Sequence, residues 1–160
     1  MDVTTGVLEE CYTKNAEALV RFAASQVGWA DADDVVATAV LGVLRRPDGE
    51  VSDMKSYLYR SVTNAAAKQW RSTNRRHDRE DRAFTAPISG WGDAQVTDRE
   101  VALIAGLAAL SMQQRAVIHL TYWEDLTPAT IAGRLGVSEG TVRQQLARAR
   151  AHLRSEISGA

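Results

Sequence analysis

The side chains best suited to specific chemistry in this sequence are arginines and a glutamine near its C-terminal end. Arg143 and Gln144 are adjacent, and Arg148 follows about one helical turn later. Arginine matches the acceptor edge of guanine with two hydrogen bonds, and glutamine matches adenine in the same bidentate way. These residue types at this spacing predict a helix that reads base edges in a DNA major groove.

The surrounding residues, 127–154, predict two helices joined by a tight turn. Thr127 is a good N-cap, and Pro128 suits the first helical position, where its missing N–H costs nothing. Gly136 is expected to end the first helix in the left-handed conformation, and Ser138 to cap the second. The second helix has an apolar stripe at helical period, formed by Val142, Leu146, Ala149 and Leu153. This order is typical of a helix-turn-helix, whose second helix enters the major groove.

A helical hairpin whose arginines form only a solvated face is the alternative interpretation of the apolar pattern. The chain, however, contains three features one after another: a Thr-Pro start, the segment I-A-x-x-L-G-V-S and the segment G-T-V-R. That combination favours DNA binding over a plain hairpin.

The segment from Leu110 to Arg154 resembles the C-terminal DNA-binding domain of small bacterial sigma factors, the extracytoplasmic-function branch. Its landmarks are L-S-x-x-x-R-A-V-I, I-A-x-x-L-G-V-S-x-G-T-V and R-A-R-x-x-L-R. Response regulators share the middle landmark, whereas the first and last indicate sigma factors. The resemblance implies that Arg143, Gln144 and Arg148 read a minus-35 promoter element. It also implies phosphate contacts from Ser138, Thr141 and Arg115.

The first half of the chain resembles the promoter-opening domain of the same branch. The segment A-D-D-V-V lies in the second predicted helix, and Y-L-Y-R-S-V-T-N-A-A-A-K-Q-W-R runs from Tyr57 to Arg71. The resemblance implies that Asp33 and Asp34 face the clamp helices of RNA polymerase. Complementation of the helix dipole is the alternative role for either carboxylate. The chain departs from the family pattern at Ala37 and Val40, where a glutamine and an aromatic residue are usual.

The third predicted helix would then read a minus-10 promoter element. Asn64 is the best candidate for hydrogen-bonding an unstacked base, because an amide presents both a donor and an acceptor. Tyr57 or Tyr59 could stack on such a base, or either could belong to the core. Contacts to the DNA backbone are assigned to Lys55, Arg60, Lys68 and Arg71.

Apolar spacing and capping signals predict an all-α fold. The helices expected in the first half are Leu8–Val27, Asp31–Leu44 and one from Ser52 or Asp53 to about Arg71. Capping boxes at Thr97 and Ser111 open two more helices, which reach Leu110 and Trp123. The core expected in the second half comprises Val101, Ile104, Leu107, Val117, Leu120, Trp123, Ile131 and Leu146. The predicted organisation is two small helical domains, 1–76 and 97–160, joined by a flexible linker over 77–96.

Composition argues against several other classes of protein. The one cysteine, Cys11, excludes an intramolecular disulfide framework and a cysteine-rich zinc site. The three histidines are scattered and no glycine-rich phosphate loop occurs, so no cofactor, metal site or enzymatic activity is predicted. No apolar run approaches the roughly 20 residues of a membrane span. The N-terminus does not read as a signal peptide, and the expected location is the cytoplasm.

Charge is distributed unevenly along the chain, although the net charge is only -1. Acidic residues dominate 1–53 and 83–133, whereas basic residues dominate 54–82 and 134–160. Such alternation suggests a protein that meets both a polyanion and a protein surface. Weak overall positive charge also predicts weak DNA binding by the free protein, since phosphate neutralisation dominates affinity.

The resemblance implies a sigma factor that binds core RNA polymerase and promoter DNA and directs promoter-specific initiation. An anti-sigma factor is a typical partner of this branch. Two alternatives stand beside this hypothesis. A stand-alone helix-turn-helix regulator would bind duplex DNA tightly without polymerase. A sigma-like decoy would bind polymerase without opening promoters.

Overall fold

The computed structural model describes residues 3–46, 51–77 and 97–159, and every regular element within them is an α-helix. The first half contains α1 (Val3–Val27), α2 (Trp29–Leu44) and α3 (Met54–His77). The second half contains α4 (Asp98–Ala109), α5 (Met112–Tyr122), α6 (Pro128–Leu135) and α7 (Glu139–Ser158). The predicted all-α class is confirmed. The predicted linker lies, apart from His77, outside the described residues.

The first half is a three-helix unit in which α1, α2 and α3 all contact one another. Its interior is formed by fully buried residues of the three helices: Leu19, Phe22, Val35, Val36, Leu58 and Val62. The third helix continues beyond Arg71, its predicted end, to His77. That last stretch carries no apolar stripe. Once a helix is nucleated, each further residue adds a hydrogen bond, so the helix continues without one.

The caps of the second half form as the local sequence predicts. Thr97 and Ser111 each accept a hydrogen bond from the backbone N–H three residues ahead, at Glu100 and Gln114. The side chains of Glu100 and Gln114 accept hydrogen bonds from the cap residues in return, which completes both capping boxes. The starts of α4 and α5 are therefore determined locally.

The helix-turn-helix also forms at the predicted residues. Thr127 caps α6 by accepting a hydrogen bond from the Thr130 N–H, and Ser138 caps α7 through the Thr141 N–H. Between them Gly136 has a φ of 67°, in the left-handed region. The stripe on α7 faces inward, with Val142, Leu146 and Ala149 buried and Leu153 partly buried.

The middle of helix α5 is buried on all sides, because α1 of the first half covers it as well as α6 and α7 of the second. All six residues from Arg115 to Leu120 are buried. Two members of the core expected in the second half are exposed instead. Val101 is 54% exposed because it lies on the outer side of α4, away from α7. Trp123 is 61% exposed because it follows the last residue of α5, and its ring stacks on His119 at 6.0 Å. The core predictions for these two residues were wrong.

The conformation of Gly136 leads to a stability prediction. Gly136→Ala should lower the free energy of unfolding by about 1–2 kcal/mol, because alanine is strained at positive φ. An added Cβ would also lie 2.8 Å from Cδ of Arg60. Gly133→Ala is the matched control, since an added Cβ there has no neighbour within 4 Å. That helical substitution should be neutral or stabilising by up to about 1 kcal/mol. Urea denaturation measures both, and equal effects would contradict the prediction.

Candidate nucleic-acid interface

One exposed face of α3 brings together four of the predicted minus-10 residues. Arg60, Asn64, Lys68 and Arg71 follow at intervals of four, four and three residues, so they lie on the same side of the helix. All four are exposed. The face therefore presents three cations around a central amide.

A groove between α2 and α3 adjoins this face. Its volume is about 460 Å³. The residues that line it come from α2, from α3 and from the segment just after α2: Thr38, Ala39, Gly42, Arg46, Tyr57, Arg60, Ser61, Asn64 and Ala65. The guanidinium of Arg46 lies 5.3 Å from the centroid of the Tyr57 ring. Sequence reasoning missed Arg46, whose place beside Tyr57 depends on how α2 packs on α3.

The structure separates Lys55 and Tyr59 from this group. Lys55 lies nine residues before Asn64, and at about 100° per residue it falls on the opposite side of α3. There its charge acts on the thiol of Cys11 on α1, partly opposing the burial that raises the pKa of Cys11. Tyr59 is fully buried and belongs to the core. Of the two tyrosines, only Tyr57 reaches the groove.

The predicted base-reading residues of α7 are exposed together. Arg143, Gln144 and Arg148 all lie on the side of the helix opposite its buried stripe. The Arg143 Nε donates to Glu139 Oε1 at 3.2 Å, so this cation is already paired within its own helix. The hydroxyls of Ser138 and Thr141 are 2.8 Å apart at the N-terminus of α7, where phosphates are favoured.

Arg115 is not on this surface, and the prediction that it contacts phosphate does not hold in this arrangement. Its side chain is buried, and its guanidinium donates to carbonyl oxygens of both halves. The distances are 3.0 Å to Ser25, 2.8 Å to Gln26 and 2.6 Å to Leu110. Burial lowers the pKa of Arg115 to about 10, so the side chain remains charged at neutral pH. A buried cation needs such acceptors.

The acidic pair of α2 lies on an exposed face that also carries apolar side chains. Asp33 and Asp34 are exposed, as is Ala37. Leu41 and Leu44 are 48% and 49% exposed on the same helix. Sequence reasoning missed both leucines. Their spacing could have revealed them. They follow the acidic pair and Ala37 at intervals of three and four residues, which places all of them on one face of the helix.

A polar cluster that joins the two halves was also missed. The Tyr59 hydroxyl donates to Glu124 Oε1 at 2.7 Å, and His119 Nε2 lies 3.7 Å from Glu124 Oε2. Burial, together with the charge of Arg21, lowers the pKa of His119 to about 4. Burial and the neighbouring Glu124 raise the pKa of Tyr59. His119 is therefore neutral at physiological pH.

The described residues form neither a metal-binding cluster nor a membrane-spanning helix. No three histidine, cysteine, aspartate or glutamate side chains in 3–46, 51–77 and 97–159 are grouped so as to hold a metal ion. Over the same residues, no helix has the length and apolar character needed to cross a membrane.

Comparison with known proteins identifies the family of this chain. Residues 11–76 match sigma-70 region 2, and residues 100–153 match sigma-70 region 4. The chain belongs to the sigma-70 family. It is a sigma factor of the extracytoplasmic-function branch, and it directs transcription initiation. The two matches divide this sigma factor as the fold does, with region 2 on α1–α3 and region 4 on α4–α7.

Individual relatives cover most of the sigma factor. It is 32% identical over 159 residues to the RNA polymerase sigma-E factor of Streptomyces avermitilis, covering 93% of this chain and 84% of that one. The sigma-E factor of Streptomyces coelicolor is 33% identical over 155 residues, with 93% and 85% covered. The ECF RNA polymerase sigma factor SigL of Mycobacterium tuberculosis is 29% identical over 146 residues, with 88% and 82% covered.

A solved structure shares the fold across both halves. It is the sigma factor RpoE in complex with the anti-sigma factor NepR from Bartonella quintana. The TM-score is 0.68 at 22% identity, with 94% of this chain and 96% of that chain covered. At this identity the likeness concerns the fold alone.

The burial of His119 predicts a pH-dependent stability. The unfolded chain takes up a proton near the ordinary histidine value of 6.5, whereas the folded protein resists protonation down to about 4. The contribution of neutral His119 is therefore complete above about pH 6.5 and is lost as the pH falls. Between about pH 7 and about pH 5 the free energy of unfolding should drop by about 2 kcal/mol from this group.

Urea denaturation at a series of pH values measures that drop. His119→Gln should make the free energy of unfolding vary less with pH in this window, while Glu124, Arg21 and Tyr59 remain in place. His152→Gln changes a half-buried histidine of α7 and is the control. Its free energy of unfolding should fall with pH as that of the wild type does. A profile of His119→Gln that matches the wild type would contradict the assignment.

Proposed function

We propose that this sigma factor binds core RNA polymerase in the cytoplasm and directs it to promoters through two separate DNA-reading surfaces. The observation that carries the proposal is the presence of both surfaces, each on the region expected to provide it. The α3 face with its groove lies in region 2, and the exposed face of α7 lies in region 4. Residues 1–76 and 97–160 are the corresponding domains of the proposal, joined by 77–96.

The α3 face and groove are proposed to bind an unstacked base of the minus-10 element. Asn64 supplies hydrogen bonds from one wall, and the Tyr57 ring offers a stacking surface that Arg46 covers in the free protein. Arg60, Lys68 and Arg71 hold the adjacent phosphates. The groove volume of about 460 Å³ falls in the range of sites that enclose small ligands.

The α7 face is proposed to bind the minus-35 element in the major groove. Arg143 and Gln144 lie in the first turns of the helix, which is where base contacts are made in this motif. Arg148 continues the same face one turn later. Ser138 and Thr141 lie at the N-terminus, where hydroxyls and backbone N–H groups suit a phosphate. To contact a base, Arg143 must first give up its hydrogen bond to Glu139.

The exposed face of α2 is proposed to contact polymerase. It combines the charges of Asp33 and Asp34 with the apolar surface of Leu41 and Leu44, and a mixed patch of this kind is typical of protein interfaces. Both leucines are about half exposed among the described residues, whereas core residues are buried. The carboxylates would provide orientation, and the leucines would provide buried area.

An anti-sigma factor is proposed as a further partner. The solved structure that shares the fold is a sigma factor recorded together with an anti-sigma factor. A partner of this class would act by covering the polymerase-binding face of α2, the DNA-binding faces of α3 and α7, or both.

Run-off transcription tests the proposal directly. Core RNA polymerase with purified protein and fragmented source DNA should give transcripts that share two upstream elements about 25 base pairs apart, as the minus-10 and minus-35 positions require. Tight binding of duplex DNA by the free protein, without transcripts, would indicate the stand-alone regulator instead. Binding to core polymerase without transcripts would indicate the decoy.

Asn64→Ala tests the minus-10 surface on a promoter found in this way. Loss of the amide should reduce discrimination against one base of the minus-10 element by about 1–3 kcal/mol, while the preference at the minus-35 element is unchanged. Transcript yields from promoters with single base changes measure both. Thr63→Ala is the control, because the Thr63 hydroxyl donates to the Tyr59 carbonyl and lies outside the groove lining. Unchanged discrimination in Asn64→Ala would remove this residue from base recognition.

Arg143→Ala tests the minus-35 surface in the same assay. A lost bidentate contact should cost about 1–3 kcal/mol and relax specificity at one base of the minus-35 element only. Arg99→Ala removes an exposed arginine of α4, outside the proposed surfaces, and should leave yields and specificity as in the wild type. Equal loss at every base in Arg143→Ala would indicate a phosphate contact instead.

A further inference from the structure

An arginine lies at one end of the groove between α2 and α3. Arg46 follows the last residue of α2 by two positions, and it lines the groove together with Tyr57 and Asn64 of α3. Its guanidinium lies over the Tyr57 ring, 5.3 Å from the ring centroid. No carboxylate of the described residues forms an ion pair with it. A guanidinium that lies over a ring directs its N–H groups sideways, so these donors can reach a ligand in the groove.

The α3 wall of the groove carries its polar groups in a row. Tyr57, Ser61 and Asn64 follow at intervals of four and three residues, so they lie on one side of the helix. Asn64 comes seven residues after Tyr57, which places it about 10 Å further along the helix axis. The groove therefore presents a cation and an aromatic face at one end and an amide at the other.

Gly42 leaves the α2 wall open between these two ends. It precedes Arg46 by four residues, so the two positions lie on the same side of the chain as α2 ends. Glycine inside a helix lowers the stability of that helix relative to alanine. Packing does not require glycine here, because an added Cβ would meet no atom within 4 Å. The space that glycine leaves belongs to the groove.

A base can replace the guanidinium on the Tyr57 ring. The contact between Arg46 and Tyr57 is exposed, and an exposed cation–ring contact is weaker than the stacking of a base on an aromatic side chain. The backbone of Arg46 is held at the end of α2, where its N–H donates to the Val43 carbonyl. The displaced guanidinium therefore stays beside the groove, next to the edge of the base.

A guanidinium at that edge distinguishes between the four bases. Its fork of N–H donors matches two neighbouring acceptors, which guanine provides with O6 and N7. An unpaired cytosine provides them with O2 and N3. Adenine has an N–H₂ donor beside its N7 acceptor, and thymine has a methyl group beside its O4 acceptor. The Asn64 amide, with a donor and an acceptor, can bind a remaining polar group of either favoured base.

We propose that Arg46 is a specificity-determining residue of the minus-10 surface, where it selects guanine or cytosine as the unstacked base. The inference rests on the proposed function and adds to it the identity of the base. Gly42 provides the space that the selected base occupies. Lysine cannot substitute for Arg46, because an ammonium group is a point charge without the planar fork.

Arg46→Ala tests the selection on a promoter found by run-off transcription. Each minus-10 position is changed to all four bases, and transcript yields are compared. The wild type should favour guanine or cytosine over adenine and thymine at one position by roughly fivefold to 150-fold, as expected for a bidentate contact. Arg46→Ala should lose most of this preference and retain the preferences at the other positions. Arg46→Lys should lose it as well, although the charge is retained.

Arg45→Ala is the matched control for these variants. Arg45 is the neighbouring exposed arginine, and it does not line the groove. This variant should keep the preference of the wild type at every minus-10 position. Thermal unfolding establishes that each variant is folded.

Base analogues test which atoms are in contact. Each strand of the minus-10 element is bound as a labelled single-stranded oligonucleotide to the complex of sigma factor and core polymerase, and fluorescence anisotropy measures the Kd. 7-Deazaguanine lacks the N7 acceptor of guanine, and 3-deazacytosine lacks the N3 acceptor of cytosine. The analogue of the preferred base should weaken binding of the wild type by roughly fivefold or more. It should weaken binding of Arg46→Ala by about twofold at most, because the partner of the missing acceptor is already absent.

Gly42→Leu tests the space in the groove. The leucine side chain would occupy the place of the base, so binding of the same oligonucleotide should weaken by roughly tenfold. The melting temperature should not fall, because leucine favours helix more than glycine does. Gly6→Leu on α1 is the control, since an added Cβ there also meets no atom within 4 Å and Gly6 does not line the groove. Unchanged binding in Gly42→Leu would contradict the role of Gly42.

The outcomes separate this inference from the proposed function. A wild type that favours adenine or thymine at every minus-10 position would overturn the role of Arg46, as would an Arg46→Ala variant that keeps the preference for guanine or cytosine. A uniform loss at every base in Arg46→Ala, restored in Arg46→Lys, would indicate a phosphate contact and would also overturn it. In each of these cases promoter-directed transcription by the wild type persists. Its absence would instead overturn the proposed function.

Discussion

The buried guanidinium of Arg115 is the contact on which the arrangement of this molecule depends. A cation inside a protein requires hydrogen-bond acceptors, and the last turn of a helix has carbonyls that require donors. Both requirements are met where Arg115 of α5 reaches Ser25 and Gln26 at the end of α1. Because Arg115 also donates to Leu110 in its own half, one side chain joins the start of α5 to the end of α1. The close packing of α1 on α5 follows from it.

Helix α5 consequently has an unusual role for a short helix that is rich in polar residues. It carries an arginine and a histidine within a run of six buried positions. Arg115 is matched by carbonyls of α1 in the other half. His119 contacts the Phe22 ring of α1, and its Nε2 lies 3.7 Å from Glu124 Oε2 of its own half. Buried polar groups that depend on specific partners favour one arrangement over others, since any other placement would leave them unpaired.

The distribution of charge relates this packing to function. The acidic residues of α2 and the basic residues of α3 are separated onto different faces, so the same three-helix unit presents one surface suited to a protein and another suited to DNA. Region 4 adds a second basic face on α7. The near-neutral total of -1 results from this division and does not indicate a surface without charge.

The sequence by itself determined the features that depend on near neighbours. The capping boxes at Thr97 and Ser111, the left-handed Gly136 and the buried stripe beginning at Val142 formed as predicted, because each needs only residues within one or two turns. The residue types on α7 likewise predicted a DNA-reading helix, and that role stays a prediction. The caps, the turn and the buried stripe were therefore accessible from the sequence alone.

The tertiary structure alone decided which residues face a partner and which face the core. Arg115 was predicted to lie on DNA and is buried, Trp123 was predicted to be buried and is exposed, and Lys55 lies away from the α3 face. Tyr57 and Tyr59 are equivalent in sequence terms, yet one lines the groove and the other bonds Glu124 of the distant half. The physical reason is the same in each case. Burial is set by elements far apart in the chain, and no local pattern of spacing records how they meet.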